Sequence, residues 1–302
     1  MVKLYYCREA NFGDAASPLL VEHLLGHDIR YARARSADLY AVGSILYGGE
    51  KITASSDVWR PLAVLSLFKH LLRRMILPTV HVWGSGFIRY PHVGRWNIKT
   101  RRMVVHALRG KRSLEILRGL GYRFDDRVPL GDPGLLYDSL LNRKESRPNA
   151  YDIGVIPHVS EVDNERIRKL LTEMKNRGLH ARVIDVREPP PKVISDISSC
   201  RTILSSSLHG CIVADSLHIP NRHLVMTTLG LDTWEDFILK FNDYYSAYGL
   251  AGDKPLAIEE AERRITELPS LLDRTTLLSW DMVEERKEIL MNAFPRKFLE
   301  PL

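Results

Sequence analysis

Residues 200–220 read CRTILSSSLHGCIVADSLHIP. The short segment Arg201–Leu204 enters three serines, Ser205, Ser206 and Ser207, and a helical pattern follows from about His209 to Leu217. Strand, polar turn and helix in that order make one βα unit. The same unit recurs on either side. Upstream, Ile153–Pro157 is an apolar strand, Asn164–Arg177 places Ile167, Leu170, Leu171 and Met174 at helical spacing before Gly178, and Ala181–Asp185 is strand-like again. Further upstream, Val2–Tyr6, Leu39–Val42 and Val80–Trp83 read as strands, with helices over Pro18–Leu25 and Lys111–Leu120, the latter stopped by Gly121. Strands alternating with helices of this length predict α/β architecture with parallel sheets.

The best break is LNRKESRPNAY, residues 141–151, a polar stretch with a proline after which a new βα series begins. It divides the chain into two Rossmann-like domains, 1–145 and 146–271. A helical segment, 272–302, is expected to fold back on the first, with its helix over Leu272–Phe294. Glu188-Pro189-Pro190-Pro191 reads as a stiff loop.

The chain has 302 residues, 45% hydrophobic and 26% charged, which excludes a disordered tail, a collagen-like fibre and a disulfide miniprotein. Its 43 Lys+Arg against 37 Asp+Glu give a net charge of +6. That balance suits an anionic small molecule, an anionic membrane surface or nucleic acid, without choosing among them. Cys7, Cys200 and Cys211 form neither a CxxC pair nor an even set, so no disulfide framework or zinc motif follows and a reducing cytoplasm is expected. The N-terminus lacks the apolar run of a signal peptide. Pro61–Val82 is the most apolar long stretch, but Lys69, His70, Arg73 and Arg74 interrupt it, so it does not read as a membrane span. With Trp59, Arg60 and Phe68 it reads either as a core-facing helix with a solvated edge or as a basic amphipathic helix on an anionic membrane.

Several strand ends carry residues suited to ligands. Asn11-Phe12-Gly13-Asp14 follows the first strand and precedes a helix, where anions and hydroxyls are bound in open α/β sheets. Gly13 would let backbone approach a ligand and Asp14 would orient a hydroxyl; the same residues also suit a tight turn with an N-capping aspartate. No GxGxxG is present, so a dinucleotide fingerprint is absent. Gly43-Ser44 and Gly84-Ser85-Gly86 keep two further strand ends open, and suit any βα turn equally. Arg109 stands between an apolar segment and a helix start, where a guanidinium and free N–H groups together suit carboxylate or phosphate; a solvated basic cluster with Lys111 and Arg112 is the plain alternative. Asp132 in Leu130–Gly134 reads as a turn residue.

The serine turn is the sharpest of these signals. Ser205, Ser206, Ser207 and the Gly210 backbone make an anion cradle, and His209 beside them titrates near neutrality. It serves there as general acid, as phosphate ligand or as a structural donor. GxSxG is missing, so this is no serine-hydrolase elbow. Lys240, among Phe241, Tyr244 and Tyr245, either reaches a substrate anion or snorkels. The carboxylates form no DxD or HExxH pattern, so no metal is expected.

Taken in order, NFGDAASPLLVEHLLG (11–26), GSIL (43–46), WGSGF (83–87), LRGKRSLEILRGLGY (108–122), LGDPGLLY (130–137), SSSLHGCIVADSLHIP (205–220) and KFNDYYSAYG (240–249) resemble the polysaccharide pyruvyl transferase family, most of all its bacterial exopolysaccharide-type members. The resemblance implies a two-domain fold similar to GT-B glycosyltransferases, the first domain on the acceptor side and the second on the donor side. It implies transfer of a pyruvyl unit from phosphoenolpyruvate to two hydroxyls of one sugar as a cyclic ketal, with no other cofactor. Arg109 matches the family arginine of the RG motif, held to grip the donor, His209 the histidine of the LHG motif, and Lys240 a basic position further on. Some members have Arg where this chain has Ser207; Arg112 or Lys240 would then replace that contact.

The site expected on these grounds comprises His209 and Asp14 as catalytic groups. Arg109, Lys240, Ser205, Ser206, Ser207, Gly210, Gly13, Asn11 and Ser85 are the expected substrate contacts. The acceptor is expected to be a saccharide, either in an exopolysaccharide or in its lipid-linked precursor at the inner membrane face, with peripheral attachment through Arg60–Arg74 in the second case and no role for nucleic acid. Two rivals share the architecture: a glycosyltransferase using a sugar nucleotide, and a catalytically silent saccharide-binding protein.

Overall fold

The computed structural model describes residues 1–8, 11–46, 76–90, 102–125, 127–141, 149–226 and 231–299, the backbone alone for 231–237. The Arg60–Arg74 stretch and the segment holding the 145/146 division lie outside these residues. Among the described residues no helix is long and apolar enough to cross a membrane.

The first half carries β1 (Lys3–Tyr5), α1 (Phe12–Leu25), β2 (Arg30–Tyr31), β3 (Leu39–Tyr40), β4 (Val80–Trp83), β5 (Met103–Ala107), α2 (Lys111–Gly119) and a 3-10 helix over Pro133–Leu140. The second carries β6 (Tyr151–Ile156), α3 (Glu165–Asn176), β7 (Ala181–Val183), α4 (Pro190–Ser198), β8 (Cys200–Ser205), α5 (Leu208–Ser216), β9 (Asn221–Val225), α6 (Leu231–Ser246) and β10 (Leu256–Ala257). The chain then continues through α7 (Ile258–Arg263), α8 (Leu268–Thr275) and α9 (Trp280–Asn292). Two five-stranded sheets result, ordered β2-β1-β3-β4-β5 and β10-β9-β8-β6-β7, with every pairing parallel.

Numbered within its own half, each sheet runs 2-1-3-4-5, so each has a point where the strand order reverses. In the first sheet it lies between β1 and β3, and in the second between β6 and β8. Ligands of open α/β sheets bind outside the carboxyl ends of the strands at such a point. The two sheets share one core. Leu4, Phe12, Leu20, Leu39 and Trp83 from the first side join Ile156, Ile184, Val193 and Ile212 from the second in a single buried cluster, while separate clusters cover the outer faces. Deleting one such Leu or Ile side chain costs about 2–5 kcal/mol, so the halves are stabilised together.

Helix α5 sits at the centre and every one of its residues is buried. Its sequence, LHGCIVADS, is accordingly not amphipathic, as expected of a helix covered all round. Gly210 lets it lie close on the serine turn, since a Cβ there would fall 2.3 Å from Ser205 Oγ. Helix α9 lies across both halves. Trp83 Nε1 donates to Leu290 O at 2.8 Å, Arg286 Nη1 to Leu130 O at 2.8 Å, and Lys287 Nζ lies 2.9 Å from Asp138 and donates to Ser216 O at 2.8 Å.

Three boundaries depart from the reading of the sequence. Helix α1 starts at Phe12 rather than Pro18, with Asn11 as its N-cap and Pro18 inside it. Proline favours a helix's first position but does not require it, and the buried face Phe12, Ala16, Leu20, Val21 sets the start. The proline run is not only a loop: Pro190 and Pro191 open α4, where their missing N–H groups cost nothing. The C-terminal helix is two, α8 and α9, because Ser279 caps a new start by accepting from Met282 N.

Candidate functional site

The two switch points face each other across α1 and α5. Phe12 N donates to Val186 O at 2.8 Å, which fixes the start of α1 against the second half, and Tyr137 Oη of the first half donates to Gly13 O at 2.9 Å beside it. The His209 ring then lies directly on Gly13. A Cβ at Gly13 would stand 2.0 Å from His209 Nδ1, so glycine is required by close approach rather than by backbone angle. His209 is 8% exposed, and its Nε2 is buried with no hydrogen-bond partner.

His209 is the second residue of α5, whose N-cap, Ser207, makes no side-chain capping bond. The first N–H groups of a helix need partners and carry the positive end of its dipole. Here they are buried, uncapped and beside an unpartnered histidine, an arrangement suited to an anion. Burial foremost, then the charges of Lys240 and Arg109, push His209 down to about 3. It is therefore neutral at pH 7, with one N–H to give and one lone pair.

The serines are less open than the sequence led us to expect. Ser205 Oγ donates to Ser207 O at 2.8 Å and accepts from Ser207 N at 3.1 Å, bracing the turn. Ser206 Oγ accepts from His158 N at 2.8 Å and donates to the carboxylate of Glu161. Ser207 is buried at the N-cap. Ser85 is also fully buried, its hydroxyl donating to Ala41 O between strand ends.

Half-buried Lys240 projects from α6 into the field of Arg109, Glu161 and Asp14. Burial, then Arg109, lowers it to about 8, while Glu161, Asp14 and Cys211 act the other way. Across from it, Asn11 Nδ2 donates to Asp14 Oδ2 at 3.2 Å, Asn11 Oδ1 is buried without a partner, and Asp14 Oδ1 faces Gly43.

Arg109 is placed differently from an open clamp. It is 1% exposed, with Nε donating to Asp243 Oδ2 at 3.0 Å, Nη1 to Ser44 Oγ at 2.6 Å and Nη2 to Phe87 O at 2.6 Å. Asp243 also accepts from Ser113 N at 2.8 Å and Ser113 Oγ at 2.6 Å, so a side chain of α6 caps α2 of the other half. Lys111 N donates to Ser246 Oγ at 2.8 Å beside it. Asp132, fully buried near this pair, is raised to about 6 by burial against the pull of Arg109, and its Oδ1 caps Gly134 N at 2.9 Å as its turn chemistry predicts.

The tertiary structure thus brings Asn11, Gly13, Asp14, His209, Lys240 and the serine turn together. It sets Arg109 behind them as a charge held by protein, and Ser85 and Gly210 in packing positions. The sequence reading missed Glu161, His158, Tyr137 and Asp243. Asp243 stands inside the KFNDYY segment, and Glu161 follows the β6 strand end on the same sheet edge as the serine turn; that edge was the available signal.

A family model described as polysaccharide pyruvyl transferase matches residues 11–225, from the N-cap of α1 to the end of β9. An uncharacterized protein of Acanthamoeba polyphaga mimivirus is 36% identical over 152 residues, which are 49% of this chain and 50% of that protein. The chain therefore spans about half the length of this curated relative.

Proposed function

The chain belongs to the polysaccharide pyruvyl transferase family, and from that premise we propose that it transfers the pyruvyl unit of phosphoenolpyruvate to two hydroxyls of one sugar. The sugar belongs to an exopolysaccharide or its lipid-linked precursor, and the product is a cyclic ketal. The observation that carries this reading is the buried, uncapped start of α5 with the unpartnered Nε2 of His209 beside it. A donor bearing phosphate and carboxylate meets N–H groups there, with the Lys240 ammonium and the charge of Arg109 close by.

In this reading His209, neutral when the site is empty, is a donor-anion ligand rather than the first proton source. Lys240 supplies a cation beside the turn, and Arg109 acts through its charge. Asp14 orients or deprotonates the acceptor hydroxyl from the first sheet, which makes 1–145 the acceptor side and 146–271 the donor side of a GT-B-like arrangement. One proton enters at C3 and makes C2 electrophilic. The first hydroxyl attacks C2, the C2–O bond to phosphate breaks, and the second hydroxyl closes the ring. Two protons leave the hydroxyls, one balancing C3 and one departing with phosphate. A cytoplasmic enzyme touching the inner membrane face would sediment with vesicles only when they contain anionic lipid.

The test is a thermal-shift series with phosphoenolpyruvate and with UDP-, GDP- and CMP-sugars. A ligand at 100 times its Kd stabilises by about 2.7 kcal/mol. A shift with phosphoenolpyruvate alone is expected; a shift with a sugar nucleotide alone moves the assignment to glycosyl transfer. In steady-state turnover with phosphoenolpyruvate, His209→Ala should lose about 10²-fold or more, and near wild-type rates would remove His209 from the site. Arg109→Gln, which removes the charge and keeps a donor for Asp243, should raise the donor KM, and an unchanged KM would discount the charge of Arg109.

A further inference from the structure

We propose that Glu161 is the group that takes up a proton when an anion enters the serine turn, so that donor binding is coupled to proton uptake at one carboxylate. The inference rests on the reading of that turn as the donor-anion site.

Glu161 lies in the loop after β6, at the switch point of the second sheet, beside the carboxyl end of β8. Three bonds lock it onto the turn. Ser206 Oγ donates to its carboxylate, Ser206 Oγ accepts from His158 N at 2.8 Å, and Glu161 N donates to His158 O at 2.7 Å. A negative charge is thereby fixed to the second serine of the turn, two residues before α5 begins. The groups that share its surroundings are Lys240 from α6 and His158 on its own loop. Around Lys240 stand Arg109, Asp14 and Cys211, with His209 at the start of α5.

A bound phosphate or carboxylate brings a second negative charge to the same ammonium and the same turn. Two anions sharing a partly desolvated site cannot both stay ionised, and the one able to neutralise does so. Burial already raises the Glu161 carboxyl against the bonds from Ser206 and His158. Once protonated, it keeps its bond to Ser206 and no longer competes for Lys240. Arg109 remains held by Asp243, so Lys240 is the cation whose attachment changes.

The experiment is calorimetric titration of phosphoenolpyruvate into the whole chain and into Glu161→Gln, in buffers of different ionisation enthalpy. Glutamine keeps the shape and accepts from Ser206, so the fold is retained. Wild type should take up about one proton more than E161Q at pH 7, and the variant should bind more tightly. The gap should widen by about tenfold per pH unit between pH 7 and pH 8, as one linked proton requires. Equal uptake in both proteins overturns the proposal, and an equal uptake above zero assigns the proton to Lys240, His158 or His209. If phosphoenolpyruvate binds neither protein, inorganic phosphate is titrated in its place. An uptake difference with phosphate upholds Glu161 while the donor reading falls, and no binding of either anion overturns both.

Discussion

Replacing Asp243 by Ala strikes one of the points where the two halves are tied through polar groups. The carboxylate accepts from Arg109 Nε at 3.0 Å, Ser113 N at 2.8 Å and Ser113 Oγ at 2.6 Å. Both members of the ion pair are 1% exposed, so no water replaces what is removed. Deleting one partner of a buried pair strands the other charge and costs about 3–5 kcal/mol. The lost cap of α2 belongs within that figure rather than on top of it. At about 2–4 °C per kcal/mol for chains of this order of size, Tm should fall by about 10 °C. Calorimetric melts at pH 7.5, with urea midpoints as a second readout, measure it. The double variant Arg109→Met, Asp243→Leu separates the causes, because it removes the pair without stranding a charge. It should recover more than half of the loss, since apolar replacements of buried pairs are often neutral or stabilising. A fall under about 2 °C for Asp243→Ala would refute the argument, because a stranded guanidinium of that burial cannot be so cheap.

Gly13→Ala should displace His209, since the new Cβ would stand 2.0 Å from Nδ1 and 2.3 Å from Cγ. Phosphoenolpyruvate affinity, read by titration, should fall more than about tenfold with an overpacking loss of about 1–3 kcal/mol, and unchanged affinity would detach the ring from the ligand. Acid stability carries a further signature. The folded state holds His209 down at about 3, so the unfolded chain binds the extra proton, and this contribution is complete above pH 6.5 and lost as pH falls from 6.5 towards 3. By pH 5 the loss amounts to about 2 kcal/mol. His209→Gln should flatten the decline of urea stability between pH 6.5 and pH 5 by about that much, and an unaltered slope would mean that the ring is not held neutral.

The helices legible in the sequence were those whose own residues decide them. The spacing of Ile167, Leu170 and Met174 places α3, and Asn164 caps it by accepting from Arg166 N at 2.9 Å. The interior strands β4 and β6 stand out in the sequence because parallel strands are covered on both faces, and Val80–Trp83 and Ile153–Ile156 within them are buried throughout. Helix α1 was misjudged at Pro18, because the competing start at Asn11 is fixed by tertiary contacts, Tyr137 on Gly13 O and Val186 O on Phe12 N. The motif residues that mark the site were equally visible, but not their states. Whether a serine hydroxyl is open or bonded to Glu161, and whether an arginine faces a ligand or an aspartate 134 positions away, depends on partners distant in the chain.

Local pattern therefore settled the alternation of strand and helix, the α/β class and the polar strand ends around Asn11 and Ser205, since periodicity and turn chemistry act over a few neighbouring residues. Strand order, the meeting of two switch points, the burial that makes His209 neutral, the Asp243 bridge and the place of Glu161 were decided in three dimensions. Each depends on which surfaces the sheets bury against each other, and charge and proton affinity follow that burial rather than residue type.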